Sequence, residues 1–212
     1  MSQKLVIDHS HVFRAWLNWQ DWKDQFEADP GLNNLPMLKS GNWRTFRKFT
    51  VEYGVARGIP GTTSQEEPKG ALTEVQTFLA NLRIDHQTPG FLESASEELQ
   101  KSLKKHCENG NEANSQLSLI SKVLSMSQPE KYPMWDRFAR LGLRAVTGKS
   151  YQKYDNFKSE FDDLFGDYLP SILSTLTGFD DHIQRSGFAP IASNTAFQRR
   201  IFDVALMIHG KI

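Results

Sequence analysis

Residues 118–146 contain acidic and basic side chains whose spacing suits chemistry on a sugar or a phosphate. Asp136 stands where a helix is predicted to begin, and Arg137 and Arg140 lie about a turn apart inside that helix. Lys122 lies on the helix predicted before it. A carboxylate held at a helix N-terminus stays ionised, because the helix dipole favours negative charge there. Such a group could activate a nucleophile or stabilise a sugar cation, as in glycoside hydrolysis.

Two of these residues also have ordinary structural interpretations. Aspartate is among the preferred N-cap residues because its side chain accepts hydrogen bonds from free backbone N–H groups, so Asp136 could simply cap its helix. Lys122 could pair with a surface carboxylate or contact a phosphate. It could instead act as an amine nucleophile if its surroundings kept it neutral. The sequence leaves both alternatives open.

The segment Pro-Met-Trp-Asp-Arg-Phe-Ala-Arg at residues 133–140 resembles part of the helix-hairpin-helix DNA glycosylases. In that superfamily an aspartate follows the hairpin helix, opens the next helix and is catalytic. The resemblance implies an all-helical, two-lobed fold with double-stranded DNA bound across a cleft and a base flipped into a pocket. It implies a catalytic role for Asp136. Bifunctional members carry a lysine near the position of Ser118, and Lys122 lies a turn further on, so the resemblance implies a possible Schiff-base role for Lys122.

The hairpin itself departs from the family pattern. Where the family has Leu-Pro-Gly-x-Gly, residues 108–115 read Glu-Asn-Gly-Asn-Glu-Ala-Asn-Ser, with one glycine and no proline. Glycines in such a hairpin let backbone N–H groups approach a DNA phosphate. The resemblance therefore implies that Asn114 and Ser115 contact phosphate in this chain.

Cationic and aromatic side chains elsewhere are candidates for contact with DNA. The expected phosphate contacts are Arg44, Arg47, Lys48, Arg137, Arg140, Arg199 and Arg200. Trp43 and Trp135 are candidates for the base pocket. The segment around Trp43 could equally be an amphipathic core helix with a charged outer face. Trp135 could equally be a core anchor.

The composition of the chain bears on which classes of protein it can belong to. The chain has 212 residues with a formal net charge of +0, so no global basic excess points to nucleic acid. A single cysteine, Cys107, builds no disulfide framework and favours a reducing cytoplasm. No apolar run reaches the roughly 20 residues of a membrane span. No CxxC or HExxH metal motif is present, and we expect no metal, no cofactor and a monomer in the cytoplasm.

Hydrophobic periodicity predicts an all-α fold of eight to ten helices. The whole chain, 1–212, is predicted to form one helical domain, with the option of two lobes and a cleft near residues 110–145. A single helix is expected over residues 12–26. Residues 43–57 fit both helix and strand patterns, and their helical neighbours favour a helix. Pro170 is predicted to separate a helix at 154–165 from another that follows it.

Three hypotheses for function remain open from the sequence. The first is a DNA glycosylase that excises a damaged or modified base, in repair or in defence against modified foreign DNA. The second is a non-catalytic nucleic-acid-binding helical protein. The third is a helical interaction protein unrelated to nucleic acid, in which Asp136 only caps a helix.

Overall fold

The computed structural model describes residues 4–60, 70–85, 87–107, 113–183 and 189–211. Within these ranges the chain is helical and contains no β-strand, which confirms the predicted all-α fold class. The α-helices are α1 (His9–Asp21), α2 (Lys23–Phe26), α3 (Trp43–Glu52), α4 (Ala71–Asn81), α5 (Phe91–Leu103), α6 (Leu117–Ser127), α7 (Arg137–Thr147), α8 (Tyr154–Ile183), α9 (Ala189–Ala192) and α10 (Thr195–His209). Short 3₁₀ turns occur at Leu32–Asn34, Pro36–Leu38, Ala56–Gly58 and Lys104–His106.

The chain divides into two compact units. Unit 1 consists of Met1–Lys23 and Pro129–Ile212, and unit 2 is Asp24–Gln128. The sequence predicted one domain with the option of two lobes. It predicted neither the boundaries of the two units nor that the N-terminal segment belongs to unit 1.

Unit 1 is built around α10. This helix packs against α1, α7 and α8, and every residue from Ala196 to Leu206 is buried. A helix that is buried all round lies inside a core and not on its surface. Its Phe197 lies edge-on to Trp19 of α1, with ring centres 5.6 Å apart. Its Phe202 lies edge-on to Phe161 of α8 at 5.0 Å.

Unit 2 is built around α6. All its residues except Ser118 are buried, and it packs against α5 and the turn at Leu32–Asn34. Buried amides tie the irregular segments to the helices. The Gln76 amide on α4 donates to the carbonyl of Met37 at 2.8 Å, and the Gln116 amide donates to the carbonyl of Gly58 at 2.6 Å. Such bonds satisfy the backbone groups that loops would otherwise bury unpaired.

Two helix boundaries differ from the sequence-based predictions. The predicted helix over 12–26 ends at Asp21, and Trp22 forms its C-cap before the short α2. The predicted break at Pro170 is wrong, because α8 continues through it from Tyr154 to Ile183. Pro170 removes a bond to the carbonyl of Gly166, and both residues are exposed. Water can therefore satisfy that carbonyl, which lowers the cost of a proline inside the helix.

The ambiguous segment at 43–57 forms a helix, α3, as favoured from its neighbours. The helix ends at Glu52, with Tyr53 as its C-cap, because Gly54 adopts a positive φ of 67°, a conformation that glycine tolerates readily. Within the described parts of the chain, no helix combines the length and apolar content that a bilayer crossing requires.

Candidate functional site

Asp136 is the N-cap of α7. Its backbone is extended, with φ −112° and ψ 149°, and its Oδ1 accepts a hydrogen bond from the backbone N–H of Phe138 at 2.8 Å. The carboxylate is partly buried. Asp136 therefore caps its helix, as its structural interpretation predicted. Because an ionised carboxylate can accept several hydrogen bonds and the cap uses Oδ1 for one of them, capping and a chemical role are compatible.

Arg140 lies one turn into α7, with its guanidinium 4.4 Å from the centre of the Trp135 ring. Its Nε is buried and has no hydrogen-bond partner among the described residues. Burial lowers the pKa of the Arg140 guanidinium, the nearby Asp136 charge raises it, and Arg137 lowers it further. A guanidinium stacked on an indole with an unsatisfied donor is suited to receive an anion.

The cations of α7 share one face. Arg137, Arg140 and Arg144 are spaced three and four residues apart, which places them in a single stripe along the helix. Arg137 and Arg144 are exposed, whereas Ala139, Gly142 and Leu143 on the opposite side are buried. The helix therefore presents positive charge on its outer face, directly after the Asp136 carboxylate.

The loop that delivers Asp136 is anchored by aromatic packing. Trp135 is buried and contacts Phe157 edge-on, with ring centres 5.3 Å apart. Tyr154 is fully buried, and its hydroxyl donates to the carbonyl of Pro133 at 2.8 Å. Burial raises the pKa of the Tyr154 hydroxyl well above its ordinary value, so it remains a donor. These contacts favour a core-anchor role for Trp135 and fix the backbone on which Asp136 sits.

Lys122 lies within unit 2 as a buried side chain on α6. Its Nζ donates to the carbonyl of Tyr53 at 2.7 Å, and only 4% of the residue is exposed. Tyr53 is the C-cap of α3, so the ammonium sits at the negative end of a helix dipole. A Schiff-base role would require the amine to release this carbonyl and lose its proton.

Arg199 and Arg200 are internal residues of α10. Arg199 donates to Asp162 at 2.5 Å and to the carbonyl of Pro129 at 3.2 Å. Arg200 pairs with Asp203 and donates to Asn18 at 2.9 Å. Less than a tenth of either arginine is exposed. These partners give both residues a structural role, which corrects their interpretation as phosphate contacts.

The remaining expected contacts lie in unit 2. On α3, Arg44 is exposed and stacks over the half-buried Trp43 at 5.3 Å, and Lys48 pairs with Glu52 at 3.6 Å. Arg47 is half-buried, and its Nε has no hydrogen-bond partner among the described residues. The helix buries Phe46 and Phe49, so it combines the amphipathic core interpretation with a cationic outer face.

The expected hairpin lies only partly in the described structure, because residues 108–112 fall outside it. Asn114 is exposed, and its carbonyl accepts from the Gln116 amide at 2.7 Å. The Ser115 hydroxyl lies 3.3 Å from that of Ser96 on α5. The Ser115–Ser96 contact ties the start of α6 to α5, and the phosphate contact expected at Asn114 and Ser115 stays a prediction.

Sequence reasoning missed the residues that hold the site together, above all Tyr154 and Asp162. Their partners lie 21 and 37 positions away, beyond the reach of helical periodicity. In the described ranges, no three His, Cys, Asp or Glu side chains are grouped so that they could hold a metal ion. Comparisons with known protein families, with curated proteins and with solved structures gave no match.

Proposed function

We propose that this chain binds double-stranded DNA and excises a damaged or modified base from it, in repair or in defence against modified foreign DNA. Asp136 is the catalytic carboxylate. The observation that carries the proposal is its position: a partly buried carboxylate at the N-terminus of α7, followed on the same helix by a stripe of three arginines.

Base excision breaks the bond between C1′ of deoxyribose and the base nitrogen. The electron pair leaves with the base, positive charge develops on the sugar ring, and water adds to C1′. A fixed carboxylate stabilises that charge and accepts the proton of the attacking water. Asp136 is suited to both steps because its backbone and Oδ1 are held by the helix cap.

The arginine stripe supports DNA as the substrate. Exposed guanidinium groups bind backbone phosphates and release counterions, which supplies most of the affinity of sequence-independent binding. Arg137 and Arg144 are exposed, and the partly buried Arg140 is preorganised by Trp135. A preorganised guanidinium loses less side-chain entropy when it binds a phosphate.

A non-catalytic nucleic-acid-binding protein is the second candidate. It is favoured by the engagement of Lys122 with the carbonyl of Tyr53, which removes the other candidate nucleophile from ready use. The two proposals share the cationic face of α7 and differ only in the chemistry at Asp136.

The test is incubation of the full chain with duplex DNA from several sources, including DNA with modified bases, followed by counting abasic sites. Formation of abasic sites supports the glycosylase. Salt-sensitive binding without abasic sites selects the non-catalytic protein. Absence of both binding and base loss overturns both proposals.

A further inference from the structure

A cavity of about 490 Å³ lies in unit 2, between the C-terminal end of α4 and the first half of α5. Its size falls in the range of small-molecule sites, about 300–1,000 Å³. No part of the Asp136 site contributes to it. The cavity is an open groove in which half-buried aromatic side chains lie beside exposed polar groups.

Two phenyl rings form the apolar part of the cavity together with Leu82 and Ala95. Phe78 comes from the last turn of α4 and Phe91 is the first residue of α5, and both are half-buried. By contrast, Phe46 and Phe49 of the same unit are fully buried. Aromatic side chains left partly open in a concave surface provide faces on which a planar ring can stack.

The polar groups of the cavity favour a nucleobase over a simple apolar ring. The amide of Asn81 donates to the carbonyl of Thr77 at 2.9 Å, which leaves the amide oxygen as an acceptor. The carboxylate of Glu98 is a second acceptor, and the Ser94 hydroxyl can serve in either role. Acceptors of this kind suit a base that offers an exocyclic amino group.

The lining of the cavity also includes one basic residue, Arg83. Arg83 follows α4 directly and is exposed, as is Glu98, and neither forms an ion pair with another side chain in the described part of the protein. A guanidinium can donate two parallel N–H bonds to two oxygens of one phosphate. We propose that this cavity binds a mononucleotide whose base carries an exocyclic amino group, with Phe78 and Phe91 against the base and Arg83 on the phosphate.

This site is independent of the proposed base excision, because it uses no residue of α7. Its ligand is distinguished from thymidine monophosphate by the amino group, since thymine presents a carbonyl oxygen and a methyl group instead. Glu98 is the charged acceptor in the lining, so it contributes most to this distinction.

The experiment is calorimetric titration of the full chain with dAMP, dCMP and dTMP. We expect dAMP or dCMP to bind about tenfold more tightly than dTMP, as one charge-assisted hydrogen bond allows. Arg83→Gln should weaken all binding about tenfold or more. Glu98→Gln should reduce the preference over dTMP, because an amide can also donate to the thymine carbonyl.

The matched controls are Lys101→Gln and Glu97→Gln, which change exposed charges of α5 outside this cavity. Both should bind all three nucleotides as the parent does, and Asp136→Asn should also retain binding. Thermal melting verifies that every variant is folded. The proposal is overturned if no nucleotide binds at millimolar concentration or if the control variants weaken binding as much as Arg83→Gln.

Discussion

The guanidinium of Arg140 lies over the indole of Trp135, 4.4 Å from the ring centre, and its buried Nε has no partner among the described residues. Trp135 immediately precedes the Asp136 carboxylate. The stack therefore links the aromatic core of unit 1 to the cationic face of α7 and places a donor close to the proposed catalytic group.

Replacing Arg140 by glutamine should weaken DNA binding about tenfold and reduce the slope of log affinity against log salt by about 1, because one phosphate contact is lost. Fluorescence anisotropy at several salt concentrations measures both quantities. Arg14→Gln is the matched control, since Arg14 is an exposed arginine on α1 of the same unit. Equal effects of the two substitutions would show that only general charge matters.

Lys122→Met tests whether this lysine supports the fold or the chemistry. Loss of the donor to the Tyr53 carbonyl should lower the free energy of unfolding by about 1–3 kcal/mol. Denaturant titration measures the change, and Lys101→Met, an exposed position on α5, should change it by about 0.5 kcal/mol or less. Borohydride should trap no covalent complex between the parent protein and DNA. A complex that forms with the parent and disappears in Lys122→Met would instead identify a nucleophile.

Gly142 and Gly210 let α7 and α10 approach each other closely. A Cβ on Gly142 would lie 2.1 Å from the carbonyl oxygen of Leu206, and one on Gly210 would lie 2.0 Å from that of Phe138. Gly142→Ala should therefore lower the free energy of unfolding by about 3 kcal/mol or more. Gly166→Ala on α8 is the control, because no atom lies within 4 Å of its added Cβ. That substitution should stabilise the helix by about 0.5–1 kcal/mol in the same denaturant titration.

Glu74 gives unit 2 a pH-dependent contact. Burial raises the pKa of this carboxyl, but hydrogen bonds from Lys105, His106 and Ser102 outweigh burial and hold the pKa below its ordinary value of 4.5. A lowered pKa in the folded state contributes stability above the unfolded pKa, and that contribution is lost as pH falls through the folded value.

Glu74→Gln should therefore lower the free energy of unfolding by about 0.5–1 kcal/mol at neutral pH. The difference from the parent should shrink as pH falls below 4.5 and vanish once the pH lies below the lowered pKa of the folded Glu74 carboxyl, where the parent is also protonated. Denaturant titrations across this range measure it. Glu97→Gln, which removes one exposed charge on α5, is the control variant in the same titrations. A constant difference at every pH would attribute the effect of Glu74→Gln to packing.

The start of a helix depends on residues that are neighbours in the chain, so helix starts could be predicted from the sequence. The helix α7 begins after Asp136 and α10 begins after Asn194; both are residue types preferred at N-caps, and both side chains accept a backbone hydrogen bond. The all-α class follows from periodicity. The continuation of α8 through Pro170 was missed because its low cost depends on which side of the helix meets water.

The candidate site was predictable only in part. Asp136, Arg137 and Arg140 lie within one turn, so their relationship could be inferred from sequence. The burial of Arg199 depends on Asp162, 37 residues away, and no periodic pattern identifies that partner. Arg200 and Asp203 are three residues apart on α10, and this spacing could have indicated an ion pair within the helix, although Arg200 was interpreted as a phosphate contact.

The rate of base release by Asp136→Asn, compared with that of Asp8→Asn, tests most directly whether the charge of Asp136 is functional. Asparagine caps helices as well as aspartate does, so both variants should keep their helix starts. Asp8 is the N-cap of α1 in the same unit, where its Oδ1 accepts from the backbone of Ser10 at 2.9 Å. We predict that Asp136→Asn releases bases at least about 100-fold more slowly than the parent and still binds DNA, while Asp8→Asn matches the parent within about twofold. Base release by Asp136→Asn at the parent rate would contradict the account.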